Sequence, residues 1–386
     1  MKKLAIITTH PIQYNAPLFR VLSQRSHIVV KVFYTWGQSK HPVYDAKFGR
    51  QRSWDIPLLE GYDHAFVENT SSKPDSNRFF GVINPGLLQQ LRDEQFDAVL
   101  VYRWSLWSHF LLLQQLPRHI QLLFRGDSVW HAGGFLKNSF RKLLLRLVYR
   151  NINTALFVGE RNKQYYLKAG LRPQQLVFAP HAVDNHRFAA DVQQREDEAL
   201  EKRRALGIPD PAVVFLYAGK FYALKQLDIL VQSFRKLEGN KVHLILLGNG
   251  EWEQQLQQLA TGDNRIHFLP FANQSQMPVV YRMGDVFVLP SRSETWGLSV
   301  NEAMACSRPA LVSDACGCAP ELIVEGKTGY SFATGNGNDL LHKMRLCTDK
   351  ERLRIMGATA QRHIEKFSLE HVAEVIEGVV SGKDEL

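Results

Sequence analysis

Two glutamates, eight residues apart, flank the start of a predicted helix. The apolar segment Val286–Leu289 predicts a buried strand, and Glu294 lies in the polar loop that follows it. Glu302 lies about one turn into a helical pattern over residues 298–306. In open parallel sheets, ligands bind beyond the carboxyl ends of the strands, and free N–H groups at a helix start hold anions. Both carboxylates therefore suit a ligand that carries hydroxyl groups beside a phosphate; the alternative is two surface carboxylates without a ligand.

A second strand-like segment, Val213–Ala218, is followed by Gly219 and by two lysines, Lys220 and Lys225. Ammonium groups at this position would neutralise a diphosphate. The chain contains no Asp-x-Asp pair that would hold a metal ion for this purpose. A diphosphate leaving group would then depend on the lysines and on a helix N-terminus. Two solvated lysines are the alternative.

A third strand-like segment, Val242–Leu247, leads into Gly248, Asn249 and Gly250. This arrangement imitates the beginning of a dinucleotide-binding fingerprint, but Glu253 occupies the position of the third glycine. The sequence therefore predicts a turn that lines a nucleotide site, and it does not predict a site for NAD.

The amino-terminal half offers two candidate acid–base residues. His10 follows the first apolar segment of the chain, and Asp127 follows the apolar run over residues 120–124. Either side chain could orient or deprotonate a substrate hydroxyl. The alternative is that both are structural loop residues.

Residues 135–150 predict a basic amphipathic helix. The basic side chains are Lys137, Arg141, Lys142, Arg146 and Arg150, and the apolar ones are Phe140, Leu143, Leu144, Leu147 and Val148. Such a helix could lie on an anionic membrane surface. Its apolar face could equally pack on a sheet and leave the basic residues outside.

Strand-like and helix-like segments alternate along the 386 residues, which predicts an α/β fold with parallel sheets covered by helices. The pattern breaks near residue 190, so two α/β halves are expected. Residues 1–190 hold 25 lysines and arginines against 12 acidic residues, a net charge of +13, whereas the remainder holds 22 against 26, a net charge of −4. The basic half suggests an anionic partner, and the absence of RRM-, KH- or zinc-finger-type spacing argues against nucleic acid.

Four cysteines in a chain of this length predict reduced thiols and a cytoplasmic protein. No apolar run is long enough for a spanning helix, so any membrane association is expected to be peripheral, on the cytoplasmic face. The terminal residues 383–386 spell an ER-retention address, which we interpret as coincidence because no signal peptide is visible.

In order along the chain, these motifs resemble those of family 4 glycosyltransferases with the GT-B fold. Residues 219–225 resemble the family's phosphate loop, residues 247–250 its G-x-G turn, and Glu294 to Glu302 its E-x7-E signature. Residues 317–329 resemble its G-G-x-P-E segment with the following glycines, and residues 180–188 its hinge. The likeness covers residues 180–370.

The resemblance implies two Rossmann-like, doubly wound domains that face a central cleft. An acceptor-binding domain would cover residues 1–186 and be joined by a carboxy-terminal helix over 368–386, and a nucleotide-sugar-binding domain would cover 187–367. The implied reaction moves a sugar from a UDP- or GDP-sugar to a hydroxyl of a lipid-linked or polysaccharide acceptor, with retention of anomeric configuration and without a metal or other cofactor.

The implied roles follow the motifs. Glu294 would contact the donor sugar and its reacting face, and Glu302 would hold the ribose hydroxyls. Lys220 and Lys225 would bind the diphosphate. The remaining implied donor contacts are the glycines Gly219, Gly248 and Gly250 and the backbone N–H groups at Trp296, Gly297 and Leu298.

The sequence departs from the family pattern at several positions. Lys220 replaces the usual arginine, which keeps the charge but loses bidentate geometry. His181 and Ala182 replace Asn-Gly in the hinge, and His10 with Pro11 stands in place of an amino-terminal glycine pair. Two alternatives stay open: a sugar phosphorylase-like enzyme on the same fold, and a non-catalytic binder of anionic ligands.

Overall fold

The computed structural model describes residues 1–40, 43–45, 50–52, 54–130, 134–239 and 241–382, so the terminal tetrapeptide 383–386 lies outside the described residues. The chain divides into two compact units. The amino-terminal unit comprises Met1–Val43, Pro57–His181 and Leu369–Leu386. The carboxy-terminal unit comprises Tyr44–Ile56 and Ala182–Ser368. The division thus falls at residue 181, where the sequence places it at 186, and the carboxy-terminal unit takes in a short segment from the first half of the chain.

The strands are short and mostly buried on both faces. They are β1 Lys2–Thr8, β2 Ile28–Tyr34, β3 Val43–Asp45, β4 Arg50–Arg52, β5 Asp63–Phe66, β6 Ala98–Tyr102, β7 Gln121–Arg125, β8 Thr154–Phe157, β9 Leu176–Phe178, β10 Val213–Ala218, β11 Val242–Leu247, β12 Ile266–Leu269, β13 Val286–Leu289, β14 Ala310–Ser313 and β15 Gly329–Phe332. All six residues of β10 and all six of β11 are buried, as expected for parallel strands between two layers of helices.

The helices lie between the strands and after the last of them. They are α1 Ala16–Ser23, α2 Leu87–Asp93, α3 Trp107–Gln115, α4 Phe135–Tyr149, α5 Glu160–Lys168, α6 Asn185–Ala189, α7 Val192–Ala205, α8 Leu227–Arg235, α9 Glu253–Ala260, α10 Met277–Arg282, α11 Leu298–Ala305, α12 Ala319–Leu322, α13 Gly337–Arg345, α14 Lys350–Ile364 and α15 Leu369–Ser381. Short 3-10 turns occur at Gly37–Lys40, Phe79–Gly81, Pro173–Gln175, Ala223–Lys225 and Glu365–Phe367.

Each unit contains one large parallel sheet. The amino-terminal sheet has the order β5-β2-β1-β6-β7-β8-β9, and the carboxy-terminal sheet has the order β12-β11-β10-β13-β14-β15; β3 and β4 pair separately. Every described pairing within the two large sheets is parallel. The order reverses between β1 and β6 in one sheet and between β10 and β13 in the other. Reversals of this kind are the ligand-binding positions of doubly wound folds.

The last helix belongs to the amino-terminal unit, although it follows the carboxy-terminal unit in the chain. α15 packs against α1. Arg25 Nη2 lies 2.6 Å from Glu377 Oε2, and the backbone N–H of His27 donates to Glu377 Oε1 at 3.0 Å. The Glu377 carboxyl is nearly buried, and these two donors lower its pKa below the usual range even though burial opposes the shift.

The structure shows which side chains of the helix predicted over residues 135–150 are buried and which are exposed. Leu145, Val148 and Tyr149 are buried, so the helix packs on its unit. Leu143 and Leu147, which the sequence groups with Val148 on one apolar face, are 68% and 44% exposed. Of the two alternatives, packing of the whole apolar face on the sheet does not hold, and contact with a membrane surface stays a prediction.

The four cysteines of the chain are free and buried. Burial raises the pKa of the Cys306 thiol to about 11 and that of Cys347 to about 12, so both stay protonated near neutral pH. None of the helices in the described ranges is both long enough and apolar enough to span a membrane.

Candidate functional site

The loops after β10 and β11 approach each other backbone to backbone. A Cβ on Gly248 would overlap the carbonyl oxygen of Gly219, and a Cβ on Gly250 would overlap that of Phe221. Gly248 has φ +142° and Gly250 has φ +157°, a region that favours glycine. The backbone N–H of Phe221 donates to the Asn249 carbonyl at 2.9 Å. Glycines at these positions therefore let two backbones line one edge of the sheet without side chains between them.

Lys225 and Glu294 form an ion pair at the point where the strand order reverses. Lys225 lies in the turn after β10 and Glu294 in the loop after β13, and Lys225 Nζ contacts Glu294 Oε2. The two side chains are 14% and 24% exposed, so the pair is half-buried yet open to a ligand. The structure thus joins two predicted site residues that lie 69 positions apart.

Neighbouring loops hold the Glu294 loop by its backbone. The Arg292 N–H donates to the Leu224 carbonyl at 2.8 Å, and the Gly317 N–H donates to the Glu294 carbonyl at 3.0 Å. A Cβ on Gly317 would overlap the Thr295 carbonyl oxygen, which explains why glycine is needed there. The loops after β10, β13 and β14 are therefore linked through hydrogen bonds that do not involve the Lys225 and Glu294 side chains.

The Glu294 loop runs directly into α11. Gly297, at φ +113°, precedes Leu298, and no side chain caps the helix N-terminus. The first N–H groups of a helix have no acceptor within the helix, and the helix dipole adds positive potential there. The Trp296 side chain is buried, and its Nε1 donates to Asn301 Oδ1 at 2.8 Å. Trp296 therefore holds the loop against α11 through its indole, and its carbonyl accepts a hydrogen bond from the Cys318 N–H at 3.0 Å.

Glu302 lies on the buried side of α11. It is 3% exposed, and the Tyr281 hydroxyl donates to its Oε2 at 2.5 Å. Tyr281 belongs to α10, which packs against α11. This contact fixes the direction of the carboxylate. The predicted Lys220 is half-buried, and its carbonyl accepts a hydrogen bond from the Tyr217 hydroxyl at 2.9 Å.

The two acid–base candidates of the amino-terminal unit lie apart. His10 follows β1 and Asp127 follows β7, with β6 between them in the sheet. The His10 ring packs edge-on against Trp36 at 5.5 Å, and its Nδ1 lies 2.9 Å from the Thr9 hydroxyl. Asp127 Oδ2 instead lies 3.8 Å from His181 Nε2.

His181 is a candidate that sequence reasoning missed. Burial lowers the pKa of His181, and the Asp127 carboxylate opposes that shift. Arg125 donates to the carbonyl oxygens of Ala179 and Pro180, both at 2.8 Å, and so holds the segment before His181 against β7. The only sequence signal was the histidine in the hinge motif, where the family has asparagine.

The sequence of the carboxy-terminal unit matches one family model, glycosyl transferases group 1, over residues 198–363. Residues 198–363 therefore resemble glycosyl transferases group 1 in sequence. This region contains Lys220 and Lys225, the glycines of the loops after β10 and β11, and the two glutamates described above. The family resemblance predicted from these motifs is thereby confirmed.

Curated relatives match the chain over part of its length. Sulfoquinovosyl transferase SQD2 of Arabidopsis thaliana is 30% identical over 229 residues, which are 58% of this chain and 43% of that protein. D-inositol 3-phosphate glycosyltransferase of Mycobacterium bovis is 32% identical over 198 residues, 47% of this chain and 40% of that protein. The matched region spans less than half the length of these relatives.

Solved structures resemble the chain over nearly its whole length. Alr3699/HepE of Anabaena, in complex with UDP and glucose, has a TM-score of 0.71 at 17% identity and covers 99% of this chain and 100% of its own. Sucrose-phosphate synthase of Thermosynechococcus elongatus has a TM-score of 0.72 at 18% identity and covers 99% of both chains. At such identity the likeness shows the fold, and the predicted α/β class with two Rossmann-like sheets of the GT-B type is confirmed.

Proposed function

We propose that the chain transfers a sugar from a nucleotide-sugar donor to an acceptor hydroxyl, with retention of anomeric configuration. The observation that carries the proposal is the Lys225–Glu294 pair at the strand-order reversal, beside glycine turns and an uncapped helix start. The pair offers a cation for a diphosphate and a carboxylate for sugar hydroxyls within one small region. A site of this composition suits a ligand that joins a sugar to a diphosphate.

Each residue group would have a separate task in the transfer. Lys220, Lys225 and the first N–H groups of α11 would stabilise the negative charge that develops on the departing diphosphate. Glu302, aimed by Tyr281, would accept hydrogen bonds from the ribose hydroxyls. Glu294 would accept hydrogen bonds from the donor sugar and so fix its reacting face.

Retention follows if the acceptor attacks from the face that the diphosphate leaves. The bond from the anomeric carbon to the diphosphate oxygen breaks, and the bond to the acceptor oxygen forms on the same side. The acceptor proton passes to a leaving phosphate oxygen, so the mechanism needs no protein nucleophile. The lysines and the helix start supply the charge compensation, and we therefore expect turnover without a divalent metal.

UDP- or GDP-sugars are the donors to test first. The neighbour Alr3699/HepE was solved with UDP and glucose, which supports UDP-glucose as the first choice. The acceptor would be a glycan or a lipid-linked sugar, positioned by His10 and Asp127. The basic helix α4 would bring the enzyme to an anionic membrane surface on the cytoplasmic face.

The direct test is nucleotide release from a panel of UDP-, GDP- and ADP-sugars, with and without EDTA. We expect release from one donor, unchanged by EDTA, and an increase in KM of about tenfold or more in Glu302→Gln. Glu201→Gln, on the exposed face of α7, is the matched control and should behave as wild type. NMR of the product would give the anomeric configuration. A product with inverted configuration, or release in which Glu302→Gln and wild type are equal, would contradict the proposal.

A further inference from the structure

Exposed apolar side chains of the amino-terminal unit concentrate on two segments. Thirteen large apolar side chains are exposed in the described part of the chain, and six of them lie on α4 or in the turn Phe79–Gly81. Those six are Phe80, Leu136, Phe140, Leu143, Leu144 and Leu147, with exposures between 38% and 81%. Such clustering marks an interaction surface, whereas single exposed apolar residues do not.

Helix α4 has apolar residues on two opposite sides. Successive residues lie about 100° apart around a helix axis. Leu136, Phe140, Leu143 and Leu147 therefore share one side, and the buried Leu145 and Val148 lie on the other. We call the first set the α4 stripe. Lys137, Lys142, Arg146 and Arg150 are exposed around the stripe, so an apolar strip bordered by positive charge faces solvent.

A second apolar feature, the aromatic patch, consists of Phe79, Phe80, Trp107 and Phe110. The ring centroids of Phe79 and Phe80 lie 5.0 Å apart, and those of Phe80 and Trp107 lie 5.5 Å apart. Phe110 joins Trp107 at 6.3 Å. Phe80 is 61% exposed, while the other three rings are half-buried and hold it in place.

The aromatic patch and the first half of the α4 stripe lie at the same end of the same face of the sheet. α3 follows β6 and α4 follows β7, and these strands and β8 are consecutive neighbours in the sheet. Right-handed crossovers place both helices on one face, with both starting at the carboxyl edge. Gln114 of α3 donates to the Val148 carbonyl at 3.1 Å, so the later halves touch. The earlier halves, which carry Trp107 and Phe140, then lie side by side.

We propose that the aromatic patch and the α4 stripe together bind the surface of an anionic lipid bilayer. The inference rests on the proposed membrane contact of α4 and adds a second contact that fixes the direction of approach. The face of the amino-terminal sheet that α3 and α4 cover then lies toward the bilayer. Phenylalanine and tryptophan favour the boundary between lipid and water, and lysine and arginine attract anionic headgroups. A second copy of the chain fits this surface poorly, because the basic residues around the stripe of one copy would lie against the same basic residues of the other and repel them.

Vesicle sedimentation with phosphatidylglycerol and phosphatidylcholine tests the surface. We expect the protein to bind vesicles rich in phosphatidylglycerol and to bind them less tightly as the salt concentration rises. Phe80→Ala should bind with about tenfold lower affinity, because the lipid would bury most of the phenylalanine ring. Ile355→Ala removes an exposed side chain of the carboxy-terminal unit and is the matched control. Because Phe80 is mostly exposed, its removal should leave the melting temperature unchanged, which separates lost binding from lost folding.

Quenching of tryptophan fluorescence by brominated lipid tests how deeply the aromatic patch enters the bilayer. Vesicles with bromine near the headgroup should quench part of the tryptophan fluorescence of the wild type, and Trp107→Phe should remove that part while binding persists. Equal vesicle binding by wild type and Phe80→Ala, or dimerisation that requires Phe80 without any vesicle binding, would overturn the inference. Nucleotide release without acceptor should be the same in Phe80→Ala and wild type. Failure of that release in both proteins counts against the proposed transferase and leaves the lipid surface standing.

Discussion

In both large sheets the strand order reverses beside the strand that comes first in the chain, β1 in one unit and β10 in the other. Different residues follow these two strands. After β10 come Gly219 and Lys220, and the neighbouring loop carries Gly248, so backbone lines the edge. After β1 come Thr9 and His10, and buried polar side chains fill the edge nearby. His109 Nδ1 donates to the Tyr102 carbonyl at 2.8 Å, and its Nε2 lies 2.8 Å from the Thr35 hydroxyl.

The comparison shows that a shared strand order fixes where a site can form but not which ligand it binds. Glycine removes side chains from the edge of the carboxy-terminal sheet and leaves N–H groups and two charged side chains, Lys225 and Glu294, at that edge. The amino-terminal edge keeps its side chains, which carry rings, hydroxyls and imidazoles. The two edges therefore differ in chemistry, and the proposed function assigns the donor to the first and the acceptor to the second.

The largest expected effect comes from the carboxylate of the carboxy-terminal edge. We expect Glu294→Gln to lower kcat about 10²–10³-fold, because the loss of a charged contact to the donor sugar acts on the reacting centre. His10→Ala should reduce transfer to an acceptor but leave donor hydrolysis unchanged. Nucleotide release with and without acceptor measures both variants. If His10→Ala also abolishes donor hydrolysis, the assignment of donor and acceptor to separate edges is wrong.

The glycine turn provides the second test. Gly248→Ala should lower the free energy of unfolding by about 3 kcal/mol, because the new methyl group meets the Gly219 carbonyl at a left-handed φ. Gly262 has φ +83° with open space around it, so Gly262→Ala isolates the conformational cost of about 1 kcal/mol. Urea denaturation gives both values.

In the amino-terminal unit, Gly86→Ala is the neutral control. Gly86 has φ −83° and nothing near the added methyl group. Equal free energies of unfolding for Gly248→Ala and Gly262→Ala would show that the loops after β10 and β11 can separate without cost.

The sequence predicts that Lys225 and Glu294 lie close together because each lies a few positions after its own strand. Alternation of strands and helices sets the carboxyl edge, and Lys225 and Glu294 must then lie near it whatever the details of packing. The partner of Asp127 could not be predicted in this way, since His181 lies 54 residues away and only the folded sheet brings them together.

Hydrophobic periodicity also does not predict which apolar residues are buried when a helix has two apolar sides. In α4, Leu143 and Val148 read as one apolar set, but the sheet covers only the side that contains Val148. The aromatic patch is equally invisible in the sequence because Phe80 and Trp107 come from segments 27 residues apart. The tertiary fold alone decides which of these apolar residues remain exposed.

The buried histidine gives a test specific to the amino-terminal unit. Burial lowers the pKa of His109 to about 4 from its usual 6.5, although two backbone carbonyls favour its protonated form. The unfolded chain therefore binds more protons between pH 6.5 and 4, and stability falls as the pH falls through this window. The free energy of unfolding falls by about 3 kcal/mol across this window, at 1.36 kcal/mol for each unit by which the pKa is shifted.

His109→Leu should remove this part of the pH dependence, measured as the free energy of unfolding at pH 7, 5.5 and 4. His119→Leu, at an exposed position, should leave the slope as in wild type. An unchanged slope in His109→Leu would mean that protonation of other groups governs the acid sensitivity of this unit.

The smallest expected effect lies at the junction of α15 with the amino-terminal unit. Glu377→Gln should cost about 2 kcal/mol, because the buried carboxylate loses its charge while Arg25 and the His27 N–H keep their positions. The wild-type pKa is lowered, so this contribution is present at neutral pH and disappears as the pH falls below the usual range for glutamate. Glu374→Gln, on the exposed side of the same helix, is the control.

Hydrogen exchange resolved by peptide distinguishes the units in this last case. Faster exchange in Glu377→Gln should appear in the peptides of β1 and β2, while those of β10 and β11 keep their wild-type rates. This outcome would mean that each sheet carries its own stability, so the side chains at one edge can change without loosening the other. Equal acceleration in both sheets would instead show that the chain unfolds as one cooperative body, and the contrast between the two edges would then concern their chemistry alone.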